Sequence, residues 1–326
     1  MSDLAPLPDR LAFLFDGAGH AVKDAPPVPP GSPPRGGFSW LHLRRDAEGT
    51  RAALDACDLD GFVVEALMAE ETRPRCTVHG DGALVNLRGV NLNPGAEPED
   101  MVSIRLWVEA ERVIGIWIRP LRAVRDILEA ADRGQAPTTP GAFVARLALR
   151  LADRAEPSVA ALNERIDDLE DLVLDERASI PRLDLSDLRR EAIILRRYML
   201  PQRDALTTLE IEDLPWLTAD DRSRLREAAE RVFRLGEDLD AIRDRAQVVH
   251  DQIMDRRAER MNGQMLILSV VAAIFLPLGL LTGLLGINVG GVPGTESPYA
   301  FWWVCAALVA LTGGLVWLFR HLGMFR

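Results

Sequence analysis

Lysine is nearly missing from this chain of 326 residues: Lys23 is the only one, and arginine carries almost all the positive charge. Coding bias explains that more readily than chemistry. Cysteine is scarce too, at Cys57, Cys76 and Cys305, with no CxxC pair. A disulfide framework is excluded, which suits a reducing compartment for the polar part. No GxGxxG, P-loop or nucleophile-elbow pattern occurs, so neither ATP-driven work nor an enzyme finds a motif to carry it. A positive balance is also missing. The net charge of −11 repels nucleic acid and gathers cations near the surface, although solubility alone accounts for such a balance. Residues 1–17 are neither basic nor apolar over a long enough run for a signal peptide, so the N-terminal part is expected to stay where it is made.

Charge itself is missing from two long stretches. None falls between Arg260 and Glu296, and none between Glu296 and Arg320. Residues 265–287 and 299–319 within them are each long enough to cross a hydrocarbon core as a helix. Arg256, Arg257 and Arg260 precede the first span, and Arg320, His321 and Arg326 follow the second. The loop 288–298 holds no positive charge. Positive flanks face the cytoplasm, so both termini are expected there, in the cell inner membrane, with the loop outside. Tyr299, Trp302 and Trp303 at one end of the second span, and Trp317 and Phe319 at the other, read as headgroup anchors. Pro277 interrupts the first span, and Gly279, Gly283 and Gly286 follow on one small face that admits another helix. One pair of spans encloses nothing. Transport through them requires several chains.

The remainder reads as two regions. Residues 1–140 hold a proline-rich stretch at Pro26–Pro34 and strand-like segments at 38–43, 76–79, 83–91, 102–108 and 112–118. Helical segments at 51–69 and 121–133 flank them, which predicts an α+β domain, a mixed sheet with helices. Residues 141–264 read as helix throughout, near 141–176, 185–212 and from Ala219, with Thr218 as N-cap. In the third helix Leu225, Ala228, Val232, Leu235, Leu239, Ile242, Ala246, Val249 and Ile253 alternate steps of three and four. That is a heptad seam, expected to pack partly within the chain and partly between chains as a coiled coil. No proline interrupts the segment before Pro277, so a stalk helix (about 219–264) is expected to run unbroken into the first span of the membrane domain, 265–326.

The first span closes on Gly286-Ile287-Asn288, after Phe275-Leu276-Pro277-Leu278 and Gly283. A GxN tripeptide carries little by itself; its placement after a stalk helix, at the end of the first of two C-terminal spans, carries more. The chain from about Gly141 onward resembles the CorA-type family of divalent-cation transporters, whose signature there is Gly-Met-Asn. The loop GINVGGVPG is more similar to the ZntB-like zinc branch, and Ile287 departs from the methionine of the magnesium branch. The resemblance implies a funnel-shaped homopentamer with a pore lined by the first spans. It implies zinc as the transported ion, protons as a coupling ion, and no cofactor. Aligned on the motif, it places Met265, Leu268, Leu276, Gly279 and Gly283 on the pore side, with Met261 and Asn262 below them.

The residues agree with that in part. A ring of Asn288 amides can hold a hydrated divalent ion without trapping it, and Glu296, the charge of the outer loop, can raise local cation concentration. Asp251 and His250 would face the cytoplasmic mouth. Tight zinc sites use Cys and His, and none lies in the loop. Cys76 and His79, three apart on a strand, fall on opposite faces and make no ligand pair. Two other readings stay open: the same architecture moving Mg²⁺, Co²⁺ or Ni²⁺, and a membrane-tethered coiled-coil sensor or scaffold.

Overall fold

Short runs rich in β-branched and aromatic residues, most of them covered on both faces, build one sheet. Its strands are β1 (Arg10–Phe15), β2 (Ala21–Lys23), β3 (Phe38–Arg44), β4 (Arg75–His79), β5 (Gly82–Gly89), β6 (Val102–Val108) and β7 (Arg112–Trp117). The structure is a computed structural model that describes residues 7–23, 36–70, 73–175, 182–287, 292, 294 and 296–323. The proline-rich stretch Pro26–Pro34 lies outside the described residues. The seven-stranded sheet runs β2-β1-β3-β7-β6-β5-β4. β3 and β7 pair in parallel and the other neighbours are antiparallel, so the expected mixed sheet is present. The five strands read from the sequence are all there, within about two residues at their ends. β1 and β2 went unread, because RLAFLF is nearly all apolar and AVK is too short to alternate.

Each face of the sheet is covered. On one face Ala12, Leu41, Leu43, Leu84, Trp107, Ile114 and Ile116 pack under α1 (Thr50–Asp55) and α2 (Gly61–Met68). The sequence suggests one helix over 51–69. The structure breaks it, since Asp58 takes a left-handed φ of 50° and Asp60 restarts the chain as an N-cap, accepting from Phe62 N at 2.7 Å. Beyond the sheet run α3 (Arg122–Asp132), α4 (Pro140–Leu174) and α5 (Arg182–Ile211). On the second face Trp40 meets Phe143 of α4, ring centroids 4.9 Å apart, beside Phe15 and Phe38. Each such buried aromatic contributes roughly 1.5–3 kcal/mol.

The same face buries His42 between Trp40 and Trp117, at centroid distances of 5.2 and 5.9 Å. Only glycine fits opposite it: a Cβ at Gly115 would collide with the imidazole. Burial pushes the His42 imidazole down to about 3, and its Nδ1 finds no hydrogen-bond partner among the described residues.

Two helix starts meet at one carboxylate. Thr139 caps α4, accepting from Ala142 N at 3.0 Å, with Pro140 at the first turn. Thr218 caps α6 (Ala219–Gly286) as the sequence suggests: its hydroxyl accepts from Asp221 N at 3.2 Å, and Asp221 accepts from Thr218 N at 3.1 Å. This is a reciprocal capping box. Asp221 is buried and also accepts from the Thr139 hydroxyl at 3.4 Å.

The heptad seam from Leu225 to Val249 is buried within the single chain, and Ile253 is half-buried. Along it Arg245 of α6 bonds Glu170, Asp167 and Asn163 of α4, while Arg196 of α5 grips Asp240 at 2.9 Å. The chain divides into two compact units, Met1–Val249 and His250–Arg326. The second holds the remainder of α6 and α7 (Ala300–His321).

His42 makes the fold acid-sensitive. A buried neutral imidazole excludes the proton that the unfolded chain binds below its ordinary value of 6.5. The stability from this group is present above pH 6.5 and is lost as pH falls from there toward 3. The denaturation midpoint, followed by tryptophan fluorescence, should drop across that window. His42→Phe should flatten the drop.

Candidate ion pathway

The second unit is two apolar helices whose side chains find little cover in one chain. In the first, Met265, Leu268 and Leu276 are 58%, 70% and 72% exposed, and Val270 is a buried exception. In α7 no residue is buried. The 22 residues of α7 extend about 33 Å, enough for a bilayer core. An apolar surface of this size in water would drive association, and a lipid bilayer would cover it. Both helices are long and apolar enough to cross a membrane.

Hydroxyls that the sequence reading passed over support this. Thr282 donates to the carbonyls of Leu278 and Gly279 at 2.9 and 3.2 Å, and Thr312 to that of Leu308 at 2.8 Å. A hydroxyl in hydrocarbon needs such a partner, and the i−4 carbonyl is the nearest. The signal was available as isolated threonines in apolar helical runs.

The expected pore residues fall on one stripe. Met265, Leu268, Leu276, Gly279 and Gly283 recur at helical spacing along α6. Met261 and Asn262 continue it toward the N-terminus, with His250 and Asp251 two to three turns further back. All of these are exposed in the single chain. Space is open where a Cβ would stand at Gly279, Gly283 and Gly286, so nothing in one chain needs those positions small. α6 ends at Gly286, with Ile287 following and 51% exposed. Asn288, the third residue of the motif, lies outside the described residues. Glu296 is exposed in a turn before α7. At the far end of α7, Trp317 and His321 stack at 5.5 Å.

The polar domain offers little for a tight metal. Among the described residues no group of three or more His, Cys, Asp or Glu is placed to hold one. His79 packs against Phe62 and Trp107 on the α2 side of the sheet. Cys76 faces the other way, where burial and Glu212 push its thiol up to about 12. Cys57 is buried and donates to the Ala53 carbonyl, and its thiol too is raised by burial.

A mixed-sheet domain, a long helix leading into one apolar span and a second span at the C-terminus define a two-span membrane protein. Residues 35–321 match the family model of the CorA-like Mg²⁺ transporter protein, and the chain belongs to that family. It is 43% identical to the divalent cation transporter CmaX of Pseudomonas aeruginosa over 286 residues, 87% of this chain and 86% of that protein. It is 39% identical to the zinc transport protein ZntB of Pectobacterium carotovorum, over 86% of each. The solved full-length CmaX structure superposes with a TM-score of 0.82 at 38% identity, covering 98% of this chain and 99% of that one. The CorA magnesium transporter of Methanocaldococcus jannaschii gives the same TM-score at 18% identity over 97% and 98%, which shows a shared fold.

The open glycine face generates an expectation. Gly283→Leu should leave the helix content of the isolated chain unchanged by circular dichroism. If that face packs against another copy, the variant should lose its oligomer on native gels in mild detergent.

Proposed function

We propose that this protein carries divalent cations, Zn²⁺ foremost, across the cell inner membrane through a homopentameric pore without ATP. The observation that carries the reading is the exposed apolar stripe of α6 leading to Gly286-Ile287-Asn288, in a chain that shares 39% identity with a zinc transport protein. The stripe has no partner in one chain, and five copies arranged about an axis would turn it inward. Residues 1–140 and 141–264 then form the cytoplasmic part and 265–326 the membrane domain. On this reading both termini lie inside, which the arginine flanks support.

The roles follow from the side chains. Asn288 amides at the outer mouth accept a hydrated cation by its water, and Glu296 draws cations toward that mouth. Apolar rings of Leu276, Leu268, Met265 and Met261 form a constriction that conducts only when wetted. Asn262, Asp251 and His250 receive the ion on the cytoplasmic side. A second reading, Mg²⁺ or Co²⁺ and Ni²⁺ as cargo, is favoured by the description of the matched family and by the broader name of the CmaX relative.

Liposomes loaded with a zinc-sensitive dye test the proposal. The purified protein should admit Zn²⁺ well above empty vesicles, and Asn288→Ala should slow entry by about tenfold, the equivalent of ~1.4 kcal/mol. Runs with and without a pH gradient decide whether protons are coupled. Runs with Mg²⁺, Co²⁺ and Ni²⁺ decide the cargo. No flux of any ion would end the proposal, and normal flux in Asn288→Ala would remove the entrance role of the motif.

A further inference from the structure

One cleft in the cytoplasmic unit has the wrong charge for a cation carrier. It holds about 440 Å³ and opens between the ends of β5, β6 and β7 and one face of α5. That volume lies in the range of small-molecule sites. Its wall carries four guanidinium groups, Arg88, Arg119, Arg190 and Arg197, in a protein of net charge −11.

The wall is held in place. Arg88 lies over the Tyr198 ring at 4.5 Å and donates to the Met101 carbonyl at 3.3 Å. Its backbone N–H is taken by the buried Gln202 side chain at 2.7 Å. Arg197 covers the same tyrosine at 4.9 Å and donates to its hydroxyl at 2.8 Å. Arg119 is exposed and makes no ion pair among the described residues. Behind the wall, Arg105 is buried, and the neighbouring Arg45 and Arg88 add to the burial that pulls it down to about 10. That positive field calls for an anion.

The cleft also holds acceptors. Glu99 is buried, with one oxygen on Arg190 at 3.0 Å and the other without a hydrogen-bond partner among the described residues. Glu70, Asp100 and Ser103 line the same space. An inorganic anion would satisfy the guanidinium groups and leave the carboxylates facing a like charge. A ligand with an anionic end and a donor-bearing end fits both.

We propose that this cleft binds a phosphorylated small molecule bearing hydroxyl or amino groups, of the nucleoside monophosphate kind. Its phosphate lies on Arg119 and Arg197, and its donors face Glu99, Asp100 and Ser103. The site shares no residue with the ion path and does not depend on which cation is carried.

Calorimetric titration of AMP into the full-length protein in detergent, at fixed ionic strength, tests this. AMP should bind saturably, and inorganic phosphate about tenfold more weakly. Arg119→Ala and Arg197→Ala, both at exposed positions, should each weaken AMP by about tenfold, the loss of one charge-assisted contact. Arg51→Ala, at an exposed position of α1, should change it less than twofold. Thermal melting of each variant in the absence of AMP confirms an intact fold. No saturable binding, equal binding of phosphate or chloride, or equal loss in Arg51→Ala would each overturn the proposal.

Discussion

Everything in the second unit depends on one constraint: apolar side chains that a single chain leaves uncovered. Leu268 and Leu276 are among the more exposed leucines of the protein, in the charge-free stretch of α6 that follows Arg260. The bilayer covers part of such a surface. A stripe that also carries Gly279, Gly283 and Gly286 suits another helix better than lipid, because small residues let two backbones come close. The functional reading rests on that difference.

The first unit solves the opposite problem. Its seam residues on α6 are covered by the same chain, so the polar half of the helix is fixed before any copy arrives. Asp221 ties the starts of α4 and α6, and Arg245 ties α6 to α4 farther along. The individual ion pairs are partly exposed and each contributes little, about 0–1 kcal/mol. The buried leucines and valines of the seam supply most of the stability.

Much of this could be read from the residues. The charge-free stretches gave the spans, and Thr218 gave the start of α6, because both signals are local. The alternation in VSIRLWV marked β6 to the residue. RLAFLF did not mark β1, since a strand covered on both faces loses the alternation. The break at Asp58 was hidden because a left-handed aspartate looks like any other in a helical run. The seam was legible, but its partner was not: a heptad pattern is the same whether the covering helix belongs to the same chain or another. The arginine-walled cleft drew no notice, because its residues come from five separated segments and arginine is common throughout the chain.

The stripe-inward arrangement of several copies is the central claim, and copy number tests it most directly. Native mass spectrometry of the full-length protein released from lipid nanodiscs should give five chains per particle. A particle of one or two chains would contradict the account, because two first spans cannot close around a path.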